Sequence, residues 1–383
     1  MKRIVLVCHK DHFTSGSVGF IQDLLQTRFE VDVFPGDSNM YYLKNLVKLN
    51  REAIYVLWQT EFLAPWLLSK GIKVVAFPMY DGCHLAPKSY FRILDNAYLF
   101  NFSYGLHQKS IHSAVVSYQM NWYPPALAES SMSEKKDVLF LWQRRPKSSI
   151  NEHIIADFFA PYVAQIHIHN RPDKYELESH VSRNADLYSS QSNWFKDQED
   201  LFSLIGSSTY FVAPRESEGI GLSFLEAMRA GCIVFANKNA THNQYIYHGY
   251  NGFLIDFQSK DKQLIKSQIQ EAFEIIQSGK PIAENAQKFI NEGRGIWEEQ
   301  SKRFLQLINT LQNSSTIAPY RRVEKIAGHI LTATYFKSPK LYSMFAYLTL
   351  KAGCFTDKPI LSVPKFENLL LYRFYLKLRG REE

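Results

Sequence analysis

The 383-residue chain is 46% hydrophobic and 21% charged, a globular composition long enough for two domains of ordinary size, each with its own core. No apolar run reaches the roughly 18 residues that would suggest a bilayer span, and Cys8, Cys83, Cys232 and Cys354 stand too far apart for a disulfide framework or a paired-ligand zinc site. The formal charge of +7 belongs to the end of the chain: residues 316–383 hold twelve Lys/Arg against five Asp/Glu, and the residues before them balance at 32 of each.

The opening "MKRIVLVCHKDH" joins a basic start to an apolar run too short for a secretory leader and without a small-residue cleavage site. It predicts a buried first strand in a soluble protein of the reducing cytoplasm. Up to about residue 125, "RIVLVC", "EVDVFP", "AIYVLWQ", "KVVAFP", "YLFNFS" and "AVVSYQ" have strand character. Between them, "SVGFIQDLLQTR", "MYYLKNLVKLN", "EFLAPWLLSKG" and "APKSYFRILDNA" have helix character. This alternation predicts a parallel sheet covered on both faces. "NWYPPALAESSMSEKK" (121–136) breaks the pattern as a linker would. Alternation resumes with "DVLFLW", "AQIHIH", "TYFVAP", "CIVFAN" and "GFLIDF". The expected organisation is an α/β protein with Rossmann-like domains over 1–125 and 126–315, facing across a cleft, and a basic, aromatic, helical extension over 316–383.

"PRESEGIGLSFLEAMRAG" (214–231) carries the most chemistry. "TYFVAP" should be a strand, "RESEGIG" the loop at its carboxyl end, and "LSFLEAMRAG" a helix closed by Gly231. Gly219 and Gly221 allow close approach or positive φ where free helix N–H groups favour an anion such as a diphosphate. Glu226, one turn into the helix, could accept hydrogen bonds from both hydroxyls of a ribose, because a carboxylate has two oxygens and no donor. Glu218, in the loop, would reach what lies beyond the phosphates. The plain alternative is a strand–turn–helix whose glutamates cap the helix and face solvent.

"EGIGLSFLEAMRAGCIVFAN" followed by "HGYNGFLIDF" resembles the donor-site signature of retaining GT-B glycosyltransferases of the family 4 type, over about residues 209–257. The glutamate pair, the glycines, the helix and the Asn-Gly hairpin agree in order and spacing. The resemblance implies that Glu226 holds the nucleotide ribose and Glu218 contacts the donor sugar. It also implies that the backbone of Gly219, Ile220, Gly221 and Leu222 lies against the diphosphate. "LFLWQRRPKS" stands where the family neutralises that diphosphate, which makes Arg144, Arg145 and Lys147 candidates. "HFTSGSVGF" resembles the glycine loop after the first strand and brings in Gly16. "VVAFPMYDGCHL" departs from the family, with Tyr80-Asp81 in place of a His-Asp pair, so Asp81 or His84 would supply the sugar contact. "NKNATHNQYI" (237–246) departs again, lacking the usual Gly-Gly and Pro-Glu, with Gln244 near the place of the glutamate.

No Asp-x-Asp triplet occurs, which implies metal-independent transfer with no cofactor beyond the nucleotide-sugar donor. The pairs His9/His12 and His167/His169 have no further ligands nearby in sequence; His169 is expected to line a strand end instead. The basic aromatic tail suits either an anionic membrane surface bearing a lipid-linked acceptor, with the protein peripheral at its inner face, or packing across the two domains. Its charges form no nucleic-acid module. The implied activity is hexosyl transfer from a nucleotide-diphosphate donor, UDP-sugar first, to a glycan or lipid-linked oligosaccharide in polysaccharide or lipopolysaccharide biosynthesis. A non-hydrolysing nucleotide-sugar epimerase and a catalytically degenerate GT-B scaffold stay open as alternatives.

Overall fold

A computed structural model of the chain describes residues 3–9, 12–13, 16–35, 45–48, 50–84, 91, 93–94, 96–111, 116–126, 134–170, 190–192 and 198–313. The extension expected over 316–383 lies outside these residues, as does most of the helix expected over "APKSYFRILDNA". The chain divides into two compact units, Met1–Met120 with Glu299–Glu383, and Asn121–Glu298.

In the first unit the described strands β1 (Arg3–Cys8), β2 (Glu30–Pro35), β3 (Ile54–Trp58), β4 (Val74–Phe77), β5 (Tyr98–Asn101) and β6 (Val116–Gln119) form one sheet in the order β2-β1-β3-β4-β5-β6. Every pairing is parallel. All five residues of β3 and all four of β4 are buried, because both faces of the sheet are covered; this is why these strands are continuous apolar runs rather than alternating ones. Helices α1 (Gly19–Gln26), α2 (Ala64–Leu68), α3 (Tyr80–Cys83) and α4 (Tyr104–Ser110) lie in the connections. The chain leaves β1 for β2 on one side and returns to β3 on the other, so the strand order reverses at β1.

The second unit repeats the plan. Strands β7 (Lys136–Gln143), β8 (Gln165–Asn170), β9 (Ser190–Ser192), β10 (Ser208–Val212), β11 (Ile233–Asn237) and β12 (Phe253–Ile255) are ordered β12-β11-β10-β7-β8-β9, again all parallel. This is the doubly wound Rossmann order with its reversal between β7 and β10. Helices α5 (Glu152–Phe159), α6 (Gln198–Ser207), α7 (Leu222–Arg229) and α8 (His242–Tyr245) connect the strands, and α9 (Lys262–Gln277) follows the last of them. The edge strand β9, "SQS", carries no apolar run and escapes sequence reading. Side-chain caps start two of the helices: Asn151 accepts from the N–H groups of His153 and Ile154, and Asp261 from those of Gln263 and Leu264.

The long helix α10 (Ile282–Asn313) begins in the second unit and ends in the first, where the sequence reading kept it whole in the second. Its last turns carry apolar groups that belong to the first core: Phe304 meets Phe100 at 4.8 Å and Phe77 at 5.6 Å between ring centroids, and Lys73 donates to the Leu311 carbonyl. Phe304→Ala is expected to destabilise the first unit by about 3–5 kcal/mol, read as a lower denaturant midpoint of that unit's transition.

Candidate active site

In the second unit the carboxyl ends of β7, β10, β11 and β12 are joined by a small hydrogen-bond set centred on Glu216. The carboxylate of Glu216 accepts from the Ser149 N–H at 2.8 Å and the Ser149 hydroxyl at 2.7 Å. Its other oxygen accepts from Gln258 Nε2 at 3.1 Å, and Asn237 Nδ2 donates to the Glu216 carbonyl at 2.9 Å. Asn237 closes the set by donating to Gln258 Oε1 at 3.1 Å and accepting from the Phe257 N–H at 3.2 Å. Sequence reading passed over all four residues. They lie far apart along the chain, and only the parallel order of the sheet brings them together.

Two residues beyond Glu216, the buried Glu218 has its carboxylate 3.9 Å from Arg215, a further residue without a sequence signal. The Glu218 carbonyl accepts from the Thr241 hydroxyl at 2.7 Å. Thr241 is fully buried at φ +74°, a conformation that a β-branched residue rarely takes. It sits in the segment that departs from the Gly-Gly of the family, where glycine would take this φ without strain. Gly219 and Ile220 carry the chain on to Gly221, which caps α7 at φ +90°. A Cβ on Gly221 would fall 1.9 Å from the Phe224 ring, so glycine is required there by both conformation and space. The first N–H groups of α7, from Leu222 on, have no partner within the helix, the setting in which a helix start favours negative charge.

Glu226, on the second turn of α7, is surrounded closely enough that burial pushes its carboxyl from 4.5 up to about 7, against the opposing pull of Arg229. Arg229 is itself lowered by burial; it donates to the Pro125 carbonyl at 3.0 Å. Of the three cations expected after β7, Arg144 stacks over the Trp142 ring at 4.7 Å. The Arg145 carbonyl accepts from the Ser148 N–H and hydroxyl, closing the turn, and Lys147 is exposed on it. This turn and the Glu218 loop leave β7 and β10, the strands that flank the reversal of order. His169 does not line an open strand end as expected. It is 2% exposed, and its Nδ1 meets the Ser192 hydroxyl at 2.8 Å, while His167 Nε2 meets the same hydroxyl at 2.9 Å. Burial keeps His167 below the usual histidine range.

In the first unit Gly16 takes φ +69° in the turn before α1. Asp81, on α3, accepts from Gln59 Nε2 at 3.2 Å and from the Gly82 N–H at 3.1 Å. His84 stacks on Tyr80 and donates Nδ1–H to the Tyr80 carbonyl at 3.0 Å. Burial lowers its pKa. Asp81 is therefore tied to its neighbours across the sheet and His84 to its own turn. Among the described residues no three His, Cys, Asp or Glu side chains are grouped as a metal ion would need, and no helix is long and apolar enough to cross a membrane.

Residues 173–294 match the family model described as Glycosyl transferases group 1. Among solved structures, sucrose-phosphate synthase from Thermosynechococcus elongatus is similar at 12% identity and TM-score 0.63, covering 82% of this chain and 100% of that one. HepE from Anabaena, in complex with UDP-glucose, is similar at 16% identity and TM-score 0.59 over the same shares. The pneumococcal O-GlcNAc transferase GtfA, in complex with UDP and GlcNAc, is similar at 14% identity and TM-score 0.52, covering 72% of this chain and 61% of that one. At these identities the likeness to solved structures is one of fold, the two-Rossmann GT-B arrangement. No curated protein matches. The family match, falling on the site-bearing unit of a chain with this fold, makes the protein a glycosyltransferase.

The raised carboxyl of Glu226 has a consequence for stability. Its folded pKa of about 7 exceeds the unfolded value near 4.3, so folded protein keeps a proton that unfolded chain loses, and stability falls as pH rises through about 7. Glu226→Gln should therefore change stability little at pH 4 and stabilise by up to about 3 kcal/mol at pH 8 and above, measured by denaturant unfolding at both pH values.

Proposed function

We propose that the protein is a retaining glycosyltransferase of the family 4 type that moves a hexosyl group from a nucleotide-diphosphate sugar, UDP-sugar first, to a hydroxyl of a glycan or lipid-linked oligosaccharide. The observation that carries this reading is the order of groups along one short path at the carboxyl end of β10. That path runs from the buried Glu218, through the left-handed Gly221 and the start of α7, to Glu226. The diphosphate of the donor lies on the N–H groups that open α7, and the backbone of Gly219, Ile220, Gly221 and Leu222 approaches it without side-chain obstruction. Glu226 accepts from the two ribose hydroxyls, and Glu218 from a hydroxyl of the sugar. UDP as the carrier is supported by two proteins of similar fold, HepE in complex with UDP-glucose and the pneumococcal transferase in complex with UDP and GlcNAc.

Bond cleavage leaves negative charge on the departing diphosphate. Arg144, Arg145 and Lys147, on the turn after β7, are the groups that neutralise it, so the reaction proceeds without a resident metal. The acceptor hydroxyl attacks the face from which the phosphate leaves, and a phosphate oxygen takes its proton, which preserves the anomeric configuration. Gly16, Asp81 and His84 act on the acceptor and sugar side. The basic residues of 316–383 hold the enzyme at an anionic membrane surface where a lipid-linked acceptor of surface polysaccharide assembly is presented. Calorimetry across UDP-, GDP- and ADP-sugars should find a UDP-sugar bound most tightly. Glu226→Ala should weaken that binding by about 10- to 100-fold, equivalent to roughly 1.4–2.8 kcal/mol, and NMR of the product should show the donor's anomeric configuration. No binding of any nucleotide sugar, or an inverted product, would overturn the assignment.

A further inference from the structure

The carboxyl ends of β1, β3 and β4, three neighbours in the first sheet, bring together four polar side chains whose hydrogen bonds have a single direction. His12 follows β1, Gln59 follows β3 and Asp81 follows β4; the fourth residue, Ser17, lies just before α1. Gln59 Nε2 lies 3.2 Å from Asp81 Oδ1. A carboxylate only accepts, so the NH₂ end of the Gln59 amide must face Asp81, and its Oε1 must face the other way. Oε1 meets His12 Nε2. An amide oxygen also only accepts, so Nε2 carries the ring proton. In neutral His12 the remaining nitrogen, Nδ1, is then an acceptor, and it lies 2.7 Å from the Ser17 hydroxyl. With the ring neutral, the Ser17 hydroxyl donates to Nδ1. Every donor in the chain points toward Asp81, an alignment in which each bond polarises the next.

Two further features place this chain of hydrogen bonds at a working site. It spans β1 and β3, where the strand order of the first sheet reverses, the place at which open α/β sheets take their ligands. Gln59 also holds φ +54°, a left-handed conformation that costs of order 1–3 kcal/mol in a non-glycine residue. The strained backbone directs the Gln59 side chain between His12 and Asp81, and its N–H is bonded to the Phe77 carbonyl at 3.0 Å.

We propose that Gln59 is a positioning residue: oriented by Asp81, its amide fixes the tautomer of His12 and so sets the Ser17 hydroxyl to accept a hydrogen bond from a sugar hydroxyl of the second substrate. The proposal rests on the glycosyl-transfer reading for the identity of that substrate. The tautomer does not depend on it.

Nitrogen-15 NMR of histidine-labelled full-length protein tests the relay directly, with the His12 signals identified by their loss in His12→Gln. Wild type should show His12 protonated on Nε2. Gln59→Met, and separately Asp81→Ala, which leaves Gln59 in place but frees its amide to turn, should move His12 to a mixture of tautomers. With a transferred sugar as readout, Gln59→Met should lower kcat/KM for the acceptor about tenfold with nucleotide affinity unchanged. Protonation on Nδ1 in the wild type, an unchanged tautomer in both variants, or unchanged acceptor kinetics beside a shifted tautomer would each overturn the role of Gln59. Absence of transfer by wild type with any nucleotide sugar would instead overturn the functional reading.

Discussion

The carboxylate of Glu216 holds together the part of the molecule on which the chemistry depends. A carboxylate drawn into a partly buried position between strand ends is tolerated only if its oxygens are satisfied. Glu216 meets that condition with Ser149 from one loop and Gln258 from another, while its own carbonyl is held by Asn237. The carboxyl ends of β7, β10, β11 and β12 are thereby fixed to one another. Glu218 is two residues from this junction and Gly221 five, so the loop that bears the site starts from a fixed point. Thr241 then pins the Glu218 carbonyl from the β11 side.

Strain accumulates at the same places. Thr241 and Gln59 are both non-glycine residues with positive φ, one in each unit, and each follows a strand at its carboxyl end. In each case a side-chain hydrogen bond rests on the strained backbone: Thr241 to the loop of Glu218, and Gln59 to both His12 and Asp81. A relaxed backbone at either position would aim the side chain elsewhere. Conformational cost is therefore accepted where it directs a polar group, as is common at functional sites.

Glu226 shows the same exchange in electrostatic form. Its surroundings disfavour its charge, as the rise to about 7 records, and apolar neighbours on α7, Leu225 and Met228 among them, are fully buried. The cost of burying that carboxyl is carried by the same helix whose apolar face builds the core.

Much of this was legible in the sequence. Parallel strands buried on both faces must be unbroken apolar runs, so β1, β3, β4, β7, β10 and β11 could be read directly. Glu218, Gly219, Gly221 and Glu226 could be read because one loop and one helix bring them together within nine residues. The edge strand β9 had no such signal, since "SQS" holds no apolar residue. The Glu216 junction and the chain from Asp81 to Ser17 were equally hidden. Their members are ordinary polar residues separated by 21 to 109 positions in one case, and by as many as 69 in the other. Sequence alone determined the layers and the local geometry of the α7 turn, because both follow from short-range pattern and backbone sterics. Which polar side chains meet at the strand ends was decided only by the tertiary structure, because strand order and register, not proximity along the chain, determine which loops become neighbours.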